Sequence, residues 1–116
     1  MQPYLSMVVP AYNEEKRLPQ TLRHILSYLG TKSFASELIV VDDGSQDRTA
    51  AVVDELAMVH QCLRLIRNPH SGKAHTVQTG MLAAEGKYVL FTDADGATPI
   101  EEMDKLLPHL ESKYDL

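Results

Sequence analysis

Tryptophan is absent from the chain, phenylalanine occurs twice and cysteine once, at Cys62. A single cysteine makes no internal disulfide and no thiolate metal cluster. In Val59-His60-Gln61-Cys62-Leu63 it reads as a small buried filler. Positive charge is also scarce: 11 lysines and arginines face 16 aspartates and glutamates, a formal net charge of −5. With no basic stripe interleaved with aromatics, nucleic-acid binding is disfavoured. An anionic ligand then has to be held by backbone N–H groups, one placed lysine or a metal ion. Apolar runs of about 18 residues are missing, so no segment reads as a membrane span. The N-terminus lacks the basic start and apolar stretch of a signal peptide. The expected location is the cytoplasm or the cytoplasmic face of a membrane. At 116 residues the chain suits one domain, residues 1–116, with a real core.

What the sequence has instead is alternation. Short apolar runs at residues 5–9, 38–41, 63–66 and 88–91 are separated by amphipathic stretches. Leu38-Ile39-Val40-Val41 and Tyr88-Val89-Leu90-Phe91 are continuously apolar, as expected of strands covered on both faces. Between them Leu18, Leu22, Ile25, Leu26 and Leu29 fall on one helical face, with Pro19 in the first turn and Gly30 just past the end. A second helix is expected from about Asp47, using Ala50, Val53, Leu56 and Ala57, and a third from about 73 to 84. A fourth starts at the capping box Thr98-Pro99-Ile100-Glu101 and packs through Ile100, Met103, Leu106, Leu107 and Leu110. The order βαβαβαβα predicts an α/β domain, a parallel sheet of about four strands with helices on both faces. Tyr114-Asp115-Leu116 reads as the start of another strand, so the domain is expected to continue. A domain cut there would expose an apolar edge or face through which copies could pair as a homo-oligomer.

In open α/β sheets ligands bind beyond the carboxyl ends of the strands. Four polar clusters fall at those ends: Pro10-Ala11-Tyr12-Asn13-Glu14-Glu15, Asp42-Asp43-Gly44-Ser45, Asn68-Pro69-His70-Ser71-Gly72-Lys73, and Thr92-Asp93-Ala94-Asp95-Gly96. Asp93 and Asp95, at i and i+2 of extended backbone, point the same way. Their mutual repulsion is relieved by a hard divalent cation such as Mg²⁺ or Mn²⁺, completed by phosphate oxygens. The plainer alternative has one aspartate capping the turn and the other in solvent. Of the next pair, one aspartate serves the Gly44-Ser45 turn and the other, Asp43 by preference, faces the ligand. Tyr12 offers a ring to a base and Glu14 a carboxylate to polar groups, while Glu15 is assigned to capping or the surface. Gly72 and Lys73 precede a helix N-terminus suited to phosphate, without the spacing of a Walker A loop. His70 and His75 read as solvated, and His24, His60 and His109 as structural.

These residues resemble glycosyltransferase family 2, of the GT-A fold, and within it the branch acting on dolichyl and other polyprenyl phosphates. The resemblance rests on Val8 through Glu15, Ile39 through Thr49, Asn68 through Gly80 and Phe91 through Thr98. It implies that Pro10, Ala11, Tyr12, Glu14 and Asp43 line the nucleoside pocket of a UDP- or GDP-sugar. Asp93 would lie near the ribose or the sugar, with Ala94 in the same nucleotide-sugar site, and Asp95 would ligate Mg²⁺ or Mn²⁺ at the diphosphate. The implied reaction is inverting transfer to a lipid phosphate, with the catalytic base and the acceptor site expected beyond Leu116. Gln78 stands where relatives often carry an arginine. Asp93-Ala94-Asp95-Gly96-Ala97-Thr98 also resembles the nucleophile motif of haloacid-dehalogenase-like phosphatases, but it lies too late in the chain for that role. A nicotinamide site would need Gly-x-Gly-x-x-Gly after the first strand, where Pro10-Ala11-Tyr12-Asn13 stands instead. A receiver domain would need its acidic pair there. The remaining alternative is a module that binds nucleotide without turnover.

Overall fold

In the computed structural model, which describes residues 2–96 together with Glu102 and Lys105, the apolar runs become strands of one parallel sheet. The elements are β1 (Leu5–Ala11), α1 (Leu18–Gly30), β2 (Ser36–Asp42), α2 (Thr49–Ala57), β3 (Leu63–Arg67), α3 (Lys73–Ala83) and β4 (Tyr88–Phe91). The expected fourth helix and the segment Tyr114-Asp115-Leu116 lie outside the described residues. The strand order is β3-β2-β1-β4, with Leu5 paired to both Ser36 and Tyr88. The chain therefore winds outward from β1 to β3, then crosses back to the far side of β1. That reversal opens a crevice at the carboxyl ends of β1 and β4, the usual ligand position in such sheets.

Side-chain alternation along the strands divides the core in two. Leu5, Met7, Val9 and Ala11 of β1, with Leu38 and Val40 of β2, pack against Leu18, Leu22, Ile25, Leu26 and Leu29 of α1 and Val53 of α2. Val8, Ile39 and Val41 face the other way, against Ala83 and Ala84 at the end of α3. Helices thus cover both faces, which is why β1 and β2 read as unbroken apolar runs. Each fully buried leucine or valine contributes about 1.5–3 kcal/mol relative to exposure, so α1, with its continuous leucine face, is the most firmly anchored helix. α3 reaches the sheet differently. A Cβ on Gly80 would stand 2.3 Å from Val8 Cγ1 and 3.3 Å from Val41 Cγ2, so only glycine lets the helix backbone approach so closely.

Helix ends differ in detail from the sequence expectation. Gly30 is the last residue of α1 rather than the one after it, and Thr31 closes the helix through its N–H and hydroxyl, both donated to the Tyr28 carbonyl. α2 begins at Thr49, with Asp47 accepting from the Thr49 N–H at 2.9 Å. Cys62 is exposed, not a buried filler, because it sits in the turn before β3 and the inward position falls to Leu63. At the amino edge of the sheet, Ser6 Oγ donates to Glu37 Oε2 at 2.6 Å and accepts from the Gly86 N–H at 2.8 Å, which fixes the return from α3 into β4. No helix among the described residues is long and apolar enough to cross a membrane.

Candidate functional site

The loops at the carboxyl edge are stitched together by side chains that take up one another's backbone groups. Asn13 lies in the left-handed region at φ 52°, a conformation asparagine tolerates better than most residues. There its N–H donates to Ser45 Oγ at 2.8 Å while its Oδ1 accepts from the Gln46 N–H at 2.9 Å. The next amides are captured in turn: Glu14 N–H by Thr49 Oγ1 at 2.9 Å and Glu15 N–H by Asp47 Oδ2 at 3.3 Å. Burial pushes the Asp47 carboxyl up, but bonds from the Thr49 hydroxyl, the Thr49 N–H and the Glu15 N–H outweigh it and hold the group below its ordinary range. The loops after β1 and β2 thereby form one rigid unit.

Asp42 and Asp43 divide their work as expected at one end and differently at the other. Asp42 Oδ2 accepts from the Ser45 N–H at 3.2 Å and so shapes the Gly44-Ser45 turn. Asp43, only 4% exposed, accepts from the Ser71 N–H at 2.8 Å and the Gly72 N–H at 3.1 Å. Its Oδ2 also lies 3.0 Å from His70 Nδ1. Burial raises this carboxyl, but the two backbone donors, His70 and the Thr76 hydroxyl together bring it below its ordinary value. Asp43 thus clamps the loop after β3 onto the loop after β2. Gly44, at φ 74°, completes the clamp, since a Cβ there would meet the His70 backbone nitrogen at 2.5 Å. The amides of Ser71 and Gly72, expected to face phosphate, are directed at Asp43 instead.

One cavity of about 310 Å³ opens at this edge, lined by Pro10, Ala11, Tyr12, Glu14, Asp43, Lys73, Thr76, Asp93, Ala94 and Asp95. Of the residues assigned to the ligand from sequence, Gly72 is the one that does not line this wall, its N–H being held by Asp43. Thr76 was not foreseen. It is buried one turn into α3, its hydroxyl donating to the Gly72 carbonyl at 2.8 Å, and its spacing of four residues from Gly72 was the available signal. His70 is more than a solvated residue. Its ring stacks on Tyr12 at 4.3 Å between centroids and 26° between planes.

Asp93 and Asp95 converge on the cavity, though not by strand alternation. β4 ends at Phe91, and the Gly96 N–H donates to the Asp93 carbonyl at 3.3 Å, closing a turn around Ala94. Ala94 packs into the core at 5% exposure, which drives the turn inward and carries an aspartate on either side of it. Each carboxylate has a basic neighbour. Lys73 Nζ lies 3.1 Å from Asp93 Oδ1, and Arg17 Nη1 lies 4.0 Å from Asp95 Oδ2. Arg17 also forks onto Glu14, with Nη2–Oε1 at 2.6 Å and Nη2–Oε2 at 2.7 Å. That hydrogen bond, then the charge of Glu14, raises the guanidinium above its ordinary value. Among the described residues no group of three or more potential metal ligands occurs. Two carboxylates in an open cavity nonetheless suit a hard divalent ion that keeps coordination positions for ligand oxygens and water.

A parallel sheet whose switch point carries a polar cavity with a placed lysine and two aspartates defines an α/β domain with a candidate ligand site at the carboxyl edge. The chain belongs to glycosyltransferase family 2: a profile described as Glycosyl transferase family 2 matches residues 6–116. A dolichyl-phosphate beta-glucosyltransferase of Trichomonas vaginalis is 47% identical over 111 residues, covering 90% of this chain and 34% of the relative. The Drosophila melanogaster dolichyl-phosphate beta-glucosyltransferase is 47% identical over 112 residues, covering 88% of this chain and 34% of that protein. The chain thus spans about a third of the length of the curated relatives it matches. Among solved structures, a mannosyltransferase of Pyrobaculum calidifontis in complex with GDP-Man and Mn²⁺ superposes with TM-score 0.74 at 30% identity, covering 88% of this chain and 30% of that one. S. aureus TarS 1–349 in complex with UDP-GlcNAc gives TM-score 0.74 at 28% identity, covering 99% and 32%. The architecture is that of the GT-A glycosyltransferases.

Proposed function

We propose that this domain is the donor-binding part of an inverting glycosyltransferase that takes a UDP- or GDP-sugar together with Mg²⁺ or Mn²⁺ and serves a polyprenyl-phosphate acceptor at the cytoplasmic face of a membrane. The observation that carries the proposal is the convergence of Asp93, Asp95 and Lys73 with Pro10, Ala11, Tyr12, Glu14 and Asp43 on one cavity at the switch point. The names of the relatives support the acceptor class, and the nucleotide-sugar complexes of the structural neighbours support the donor. Tyr12, half-exposed and backed by His70, presents a ring against which a base can lie. Asp43 is preorganised beside it, and Lys73 places a positive charge toward the phosphates. A bound divalent ion would be held by Asp93 and Asp95 and would neutralise the departing diphosphate. No described residue is assigned the role of base.

Calorimetry with UDP, GDP and their sugars, with and without Mn²⁺, tests this. Diphosphate binding is expected to require the cation and to be lost in Asp95→Ala. Equal affinity without metal, or in the alanine variant, would remove the metal site from the proposal. Capture of a phosphoaspartate at Asp93 would replace glycosyl transfer with phosphatase chemistry.

A further inference from the structure

The acids of the cavity are not bare in the ligand-free structure. Three of its acids are paired with bases: Glu14 and Asp95 with Arg17, which lines the adjoining cleft that shares Asp95, and Asp93 with Lys73. The two bases come from opposite faces of the sheet, Arg17 from the start of α1 and Lys73 from the first turn of α3. Their side chains are 61% and 71% exposed, so both can move without disturbing the core.

We propose that Arg17 and Lys73 are exchangeable counter-ions that occupy the aspartate pair in the absence of donor and make cation capture depend on a nucleoside diphosphate. The inference rests on the donor-and-cation function proposed above. Without ligand, a divalent ion approaching Asp93 and Asp95 has to displace a lysine and compete with an arginine already there. A diphosphate supplies oxygens that attract both bases, Lys73 from the cavity wall at the start of α3 and Arg17 from beside Glu14 and Asp95. As the bases turn to the phosphates, the carboxylates are released to the ion. Metal and nucleotide then strengthen each other's binding by one shared factor, as linkage requires. Glu14 has a part in this, because its fork on Arg17 holds the guanidinium beside Asp95 until phosphate oxygens draw it away. The roles of Arg17 and Lys73 are positional, since they control when the aspartates are available.

Free Mn²⁺, followed by its electron paramagnetic resonance signal, is titrated with protein in the absence and presence of UDP and, separately, GDP. The proteins are wild type, Lys73→Met, Arg17→Met and Lys32→Met. Lys32 sits at the opposite end of α1, over the Tyr28 ring, and its variant carries the same change in net charge. Removing one unit charge about 4 Å from a divalent ion in well-hydrated surroundings alters affinity about thirtyfold before salt screening. Lys73→Met and Arg17→Met are therefore expected to bind Mn²⁺ alone about tenfold to thirtyfold more tightly than wild type, with Lys32→Met unchanged. The factor by which UDP or GDP tightens Mn²⁺ binding is expected to shrink in the first two variants. Mn²⁺ affinity in Lys73→Met and Arg17→Met no greater than in Lys32→Met would overturn the counter-ion role while leaving the donor-and-cation function standing. Wild-type protein whose Mn²⁺ binding neither UDP nor GDP improves would instead defeat the underlying function, and this inference with it.

Discussion

Replacing Asp43 with asparagine removes a charge from the clamp between two loops while keeping its shape. In the native structure Oδ1 accepts from the Ser71 N–H at 2.8 Å and Oδ2 from the Gly72 N–H at 3.1 Å. An asparagine can accept only one of these, and its amide NH₂ then confronts the other N–H. Hydrogen bonds to a buried charged group contribute about 1.5–3 kcal/mol, and an orphaned buried donor costs a similar amount. Asp43→Asn should therefore lower stability by about 2 kcal/mol at neutral pH, or roughly 8 °C in Tm for a domain of this size. The pH dependence sharpens the expectation. Asp43 is held below its ordinary value of 3.8, so its contribution is fully present above that pH and is withdrawn as pH falls through the lower native value. The stability gap between wild type and Asp43→Asn should accordingly close as pH is lowered from 7 past 4. Asp47, also lowered, titrates in both proteins and cancels in the difference. Urea unfolding followed by circular dichroism at stepped pH measures the gap directly. A gap that stays constant into the acid range would show that the carboxylate charge is not what holds the loops together.

Gly80→Ala should destabilise the fold by about 1–2 kcal/mol, overpacking against Val8 outweighing the gain in helix propensity. Adding Val8→Ala should restore part of that loss, and strict additivity of the two changes would argue against the contact. At Asn13, alanine should cost about 1 kcal/mol more than glycine, because only alanine also meets the left-handed backbone penalty. Equal thermal midpoints for the two variants would assign the whole effect to the lost Gln46 contact.

The layout of the sheet was legible because its strands are covered on both faces and its helices are amphipathic. Leu38 through Val41 and the leucines of α1 announce a buried strand and the helix that covers it. The edge holding the site was legible for the same reason, since strand ends locate it without any side-chain detail. What could not be read was how the polar residues are shared out. Asp42 and Asp43 are adjacent and chemically identical, so their separate partners follow only from the pleat and from where the third loop comes down. The convergence of Asp93 and Asp95 was expected for the wrong geometric reason: burial of Ala94 turns the chain, and strand alternation has no part in it. Thr76 escaped notice and His70 read as solvated because each acts through a neighbour, Thr76 on Gly72 and Asp43, His70 on Asp43 and Tyr12. Cys62 shows the opposite limit, where a residue type that is usually buried falls one position short of the strand.

The strand order has a consequence for how the molecule comes into being. β1 occupies the interior of the sheet, yet it is the first of these strands to be synthesised, and one of its two partners, β4, is the last. Until Leu5 meets Tyr88, one side of β1 carries open backbone donors and acceptors flanked by Met7, Val8 and Val9. An apolar strand in that condition is a template for pairing with another nascent chain. The same pairing delivers Asp93 and Asp95 to the cavity, so the site is assembled at the moment that the exposed edge disappears. Chains stalled before β4 should consequently be both unable to bind donor and prone to self-association.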